Sequence, residues 1–109
     1  MRDSIVNEIV QGLNLPEAIA RKLLSDYLKV LPAELNQLKE KIKQGDIAGA
    51  AKDAHSIKGA SGNLRIKDIF ELTAELEQTL KFAAAGNEQH VKIVKLLLAI
   101  ENFMKNLES

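Results

Sequence analysis

His55 is one of two histidines in the chain, and its neighbours give it more chemistry to offer than any other side chain. If its segment is helical, residues three and four positions away share its face. Those are Ala51 and Lys52 upstream, Lys58 and Gly59 downstream, and Gly62 a further turn along. The imidazole then stands among lysines and residues with little or no side chain, beside an apolar stripe of Ala51, Ala54 and Ile57, and is expected to be exposed. With a reference pKa of about 6.5 it is mostly neutral near neutral pH, so one ring nitrogen is free to attack an electrophile such as phosphorus. A phosphoryl group held there needs a cation. Lys58 supplies a mobile one, worth on the order of 1 kcal/mol in a solvated setting.

Each of these residues also has a bland explanation. Gly59 and Gly62 cost about 1 kcal/mol apiece relative to alanine inside a helix, and either close helix packing or a fraying end would justify them. The functional alternative is that Gly59 clears space beside the ring for an incoming macromolecule. Most surface lysines merely solvate a helix, and Lys58 is open to that reading. The nucleophile works best when its second nitrogen donates its proton to a fixed acceptor. Glu77 lies on the Phe70–Thr73–Glu77–Lys81 line of a later helix, where a carboxylate could face His55. Plain solvation is the alternative there too.

Helical periodicity runs nearly end to end, and no two-residue alternation interrupts it. A short first helix carries Ile5, Val6, Ile9, Val10 and Leu13, starting near Asp3 or Ser4 and ending around Gly12. Asn14 is the expected N-cap of the second, with Pro16 in its first turn. That helix carries Ile19, Ala20, Leu23, Leu24, Tyr27, Leu28, Leu31, Leu35, Leu38 and Ile42, with a kink expected at Pro32 and an end at Gly45. Asp46 can cap a third, which bears Ile47, Ala50, Ala51, Ala54 and Ile57 and extends to Leu64. A fourth begins near Lys67, shows Ile69, Phe70, Thr73, Leu76, Leu80 and Ala83, and closes at Gly86. A fifth starts near Asn87 with Val91, Val94, Leu97, Leu98, Phe103 and Leu107. Short connections make successive helices antiparallel neighbours. The expected fold is therefore all-α: an antiparallel up-down four-helix bundle with a short extra N-terminal helix, one domain over residues 1–109.

Composition narrows the function classes. With 109 residues and 46% hydrophobic content, the chain can bury a core without staples, and only four aromatic side chains contribute to it. The absence of cysteine excludes disulfides, zinc-thiolate sites and thiol nucleophiles. Met1-Arg2-Asp3-Ser4 lacks an apolar signal core, and the longest apolar run, Leu96 to Ile100, is too short to span a bilayer, so a cytoplasmic protein is expected. Positive and negative side chains balance at 15 each, which gives no global argument for nucleic acid. Locally, Lys52, Lys58, Arg65 and Lys67 face only Asp53 around His55, whereas Asp68, Glu71, Glu75 and Glu77 outnumber Lys81 in the next segment. His90 has no matching motif and reads as a solvated surface residue. The two histidines lack partners at ligand spacing, so no metal site is expected.

The string Ala54-His55-Ser56-Ile57-Lys58-Gly59-Ala60-Ser61-Gly62-Asn63-Leu64 resembles the signature of histidine-containing phosphotransfer (HPt) domains, Ala-His-x-(Leu or Ile)-Lys-Gly followed by small residues. The five-helix pattern and the Leu76-Glu77 pair match that family as well, and the resemblance spans essentially the whole chain. It implies that His55 is phosphorylated on the nitrogen remote from the backbone, that Lys58 balances the phosphate and that Gly59 gives the partner access. Glu77 would orient the imidazole. Lys52, Gly62 and Lys81 would lie on the partner-docking face, Lys81 also being a weaker candidate for phosphate contact. The implied partners are receiver domains of response regulators or hybrid histidine kinases. No cofactor is implied on this chain, the Mg2+ belonging to the receiver, and the chain would act as a monomeric phosphocarrier rather than an enzyme. Arg65-Ile66 departs from the pattern, standing where the family often has glycine and a small residue. Two other readings compete: the phosphoacceptor domain of a chemotaxis-type or hybrid histidine kinase excised from a longer chain, and an inert helical adaptor. Nucleic-acid or membrane binding would need a longer basic stretch than this one.

Overall fold

A computed structural model describes residues 1–108 and contains five helices: α1 (Arg2–Leu13), α2 (Glu17–Lys43), α3 (Ile47–Asn63), α4 (Lys67–Ala84) and α5 (His90–Glu108). Helix α2 alone spans about 40 Å at 1.5 Å per residue, close to the 46 Å long axis of the molecule. Each long helix packs on the next, α2 on α3, α3 on α4 and α4 on α5, while α1 lies against α2 and α5. An ion pair between Lys39 and Glu101 joins α2 to α5. This is the helical bundle with a short N-terminal helix that the periodicity predicts.

Ile9, Leu24, Leu31, Leu35, Leu38, Ile57, Ile69, Leu76, Leu80, Ile100 and Leu107 are fully enclosed, each contributing about 1.5–3 kcal/mol of burial. The stripe of α3 is smaller than the others: Ala50, Ala51, Ala54 and Ile57 face inward, and the α3–α4 interface is the most extensive in the bundle. Small side chains let the backbones approach. At Gly62 an added Cβ would stand 3.1 Å from the Phe70 ring, so close packing of α3 on α4 explains the missing side chain there.

The helix ends differ in detail from expectation. Asn14 does not cap α2; it ends α1 in the left-handed region at φ 54°, with its N–H and that of Leu15 both bonded to the Val10 carbonyl. Asparagine suits an N-cap and a left-handed end alike, and here the latter prevails. Pro16 therefore occupies the N-cap of α2, its carbonyl accepting from Ala20 N–H. The helix continues through Pro32 without a break, and Asp46 caps α3 by accepting from Gly49 N–H, as expected. Helix α5 begins at His90 rather than near Asn87, with the Glu88 carboxylate accepting from His90 N–H. Ile19, Phe70, Val91, Val94 and Leu98, all placed in apolar stripes from the sequence, are exposed. In α5 the inward face is rotated from the expected stripe: Leu97 and Leu107 are buried as expected, but Ile93, Leu96, Ile100 and Met104 join them in place of Val91, Val94 and Leu98.

Arg65 takes a left-handed φ of 64°, the position where helices commonly end in glycine. Its stem lies over Gly12 of α1, where a Cβ would stand 2.8 Å from the arginine Cγ. The departure at Arg65 is thus matched by a glycine on the neighbouring helix.

One polar link crosses the core. Ser61 donates to the Ile57 carbonyl, so its oxygen accepts from the Tyr27 hydroxyl, tying α2 to α3. Burial pushes the Tyr27 phenol up to about 12, overriding the opposite pull of the Ser61 bond. The neutral phenol is thus favoured in the folded state. Its contribution is complete below an unfolded value of about 10 and is lost as pH rises towards 12. Denaturant titrations should show stability falling across that window. Tyr27→Phe should cost about 1 kcal/mol at neutral pH and remove that part of the alkaline slope.

Candidate functional site

Helix α3 turns Ala51, Ala54 and Ile57 into the core, which leaves His55 and Lys52 on the outer surface and Lys58 at the boundary. Helix α4 presents Ile69, Thr73, Leu76, Glu77 and Leu80 inward, so the Glu77 carboxylate sits at the α3–α4 seam with its side chain only 4% exposed. A buried carboxylate must be paired, and three groups converge on this one. His55 Nδ1 lies 3.1 Å from Oε2, Lys81 Nζ 3.0 Å from the same oxygen, and Lys58 Nζ 2.8 Å from Oε1. Among the described residues, the Lys58 ammonium is the polar group that meets Oε1.

Burial by itself would raise the Glu77 carboxyl. The ammonium groups of Lys58 and Lys81 outweigh it and hold the group down at about 2. An ionised carboxylate can only accept hydrogen bonds, so His55 Nδ1 must carry the proton. In the neutral ring Nε2 then keeps its lone pair, and among the described residues it has no hydrogen-bond partner. The His55 side chain is 66% exposed. The arrangement is an oriented, accessible nitrogen nucleophile whose far side is anchored to a buried anion.

The remaining predicted residues distribute around this centre. Gly59, one turn from His55, is exposed, and an added Cβ there would meet nothing within 4 Å, so the open-space account fits Gly59 where packing accounts for Gly62. Lys52 is exposed and forms no ion pair among the described residues. Lys52, His55, Glu77 and Lys81 line a groove of about 460 Å³ together with Ala48, Ala51 and Ala84. Asp53, the lone anion of the basic stretch, faces α2 and pairs with Lys41 at 2.9 Å, which leaves the His55 face basic. His90 is exposed at the start of α5, as predicted. Among the described residues no cluster of three or more potential metal ligands occurs, and no helix is long and apolar enough to cross a membrane.

Sequence reading foresaw the His55–Glu77 approach but missed the grip of Glu77 on both lysines. The one available signal was the i,i+4 spacing of Glu77 and Lys81. The Tyr27–Ser61 link was missed as well, since nothing local marks either residue.

A family model for the Hpt domain matches residues 22–109, which takes in all of α3, α4 and α5 and most of α2. No curated protein and no solved structure matches the chain.

The Glu77 geometry carries a pH signature. Its folded pKa of about 2 lies below the ordinary 4.5, so the unfolded chain takes up the proton first. The stabilisation is complete above about pH 4.5 and disappears as pH falls through about 2. Acid titration followed by circular dichroism should show that loss. A Glu77→Gln variant should lack it and be less stable at neutral pH by on the order of 1–3 kcal/mol.

Proposed function

The chain belongs to the Hpt domain family, and on that premise we propose that it is a phosphocarrier, one module over residues 1–109, in which His55 exchanges a phosphoryl group with receiver aspartates. The observation that carries this reading is the exposed imidazole whose Nδ1 is held on the buried Glu77 carboxylate at 3.1 Å. The Nε2 lone pair attacks the phosphorus of an aspartyl phosphate. A P–N bond forms, the P–O bond to the aspartate breaks, and the carboxylate leaves with the bonding pair. The Nδ1 proton stays in place throughout, so the phosphorylated ring is cationic and Glu77 offsets that charge. Transfer to a second receiver is the same step reversed. Such chemistry asks for positioning and charge neutralisation more than for covalent machinery.

Lys52, Gly62 and Lys81 fall on or beside the face a receiver would cover, and Gly59 leaves the backbone bare next to the ring. No cofactor is assigned to this chain, and a monomer working in the cytoplasm accords with the reading.

Incubation with a phosphorylated receiver should place an acid-labile phosphate on the wild-type protein and none on His55→Gln. Label retained by that variant would move the site elsewhere. Gly59→Leu separates docking from chemistry. It should raise thermal stability, because glycine costs a helix about 1 kcal/mol and open space surrounds the position. It should also slow transfer from the receiver at least about tenfold, equivalent to about 1.4 kcal/mol of lost docking. Loading from the small donor phosphoramidate should be unchanged.

A further inference from the structure

The phosphoryl oxygens need cations, and three lysines stand near the ring. Their positions are not equivalent. Lys58 touches Oε1 of Glu77, an oxygen with no other polar partner among the described residues, and its side chain is 26% exposed. Lys81 is 58% exposed and shares Oε2 with His55 Nδ1, so it stands on the imidazole side of the carboxylate. Lys52, one turn before His55, is exposed and unpaired among the described residues. The groove beside the ring is lined by Lys52, Lys81 and three alanines but not by Lys58, and its volume of about 460 Å³ has room for a tetrahedral anion.

We propose that Lys52 and Lys81, from opposite sides of this groove, take the phosphoryl oxygens on His55, while Lys58 stays on Glu77 as a positioning residue for the imidazole. The assignment rests on the phosphocarrier reading and changes the division of labour within it, since the sequence pattern gives the phosphate to Lys58. Charge balance favours it. Were Lys58 to leave for the phosphate, Oε1 would be buried without any partner; when Lys81 leaves, Oε2 keeps the His55 Nδ1–H.

The test loads the intact protein with phosphoramidate and follows the 31P resonance of the phosphohistidine as pH is varied. Cations that touch the phosphoryl oxygens lower its second ionisation. The Lys52→Gln/Lys81→Gln double variant should raise that midpoint by about half a unit or more. Lys52→Gln alone, which touches no other group, should raise it part of the way. Lys58→Gln should leave the midpoint in place and instead shift the His55 ring 15N resonances of the unloaded protein, which Lys52→Gln should not do. A midpoint that moves as far in Lys58→Gln as in the double variant, or that is unmoved in the double variant, overturns the assignment. A wild-type protein that gains no phosphohistidine signal overturns the phosphocarrier reading first and this one with it.

Discussion

The Glu77 carboxylate is the constraint on which the site depends. It is a full charge at the seam of two helices, and an anion in that position persists only if other groups keep it company. Lys58 from α3 and Lys81 from α4 keep it ionised, and an ionised carboxylate dictates the histidine tautomer. The imidazole is therefore oriented by electrostatics acting through a neighbour, and His55 itself remains in water. Burial and exposure are divided between the two partners: the anchoring carboxylate is inside and the imidazole it holds is outside.

That division requires α3 and α4 to lie close together and in one register. The alanines of α3 and the bare backbone at Gly62 against the Phe70 ring bring the two axes together. The Tyr27–Ser61 bond and the Lys41–Asp53 pair fix α3 on its other flank, against α2. With α3 held from both sides, the ring's anchored nitrogen has few ways to drift from its acceptor.

Much of this was legible in the sequence. Apolar spacing located all five helices, Asp46 announced a cap, and the residues around His55 announced an exposed imidazole with glycine beside it. What escaped had physical reasons. Asn14 serves equally as a helix start or a left-handed end, and only the fold chooses between them. Helix α5 has two apolar faces, and periodicity cannot rank Val91, Val94 and Leu98 below Ile93, Leu96 and Ile100. The convergence of Lys58 and Lys81 on one carboxylate depends on the register of antiparallel helices, which no local pattern encodes. Spacing could suggest that Glu77 meets His55 but not which lysine would be tied up in holding it.

The arginine stem lying across Gly12 makes two distant segments depend on each other. A side chain at position 12 would collide with it, and an ordinary glycine turn at 65 would leave the N-terminal helix with a gap to cover. Replacement of α1 by another helix is therefore constrained by a single turn far along the chain. Chimeras that respect the core but ignore that pairing would carry the mismatch at the junction of α1 with the α3–α4 connection, one end of the very helix that displays the histidine.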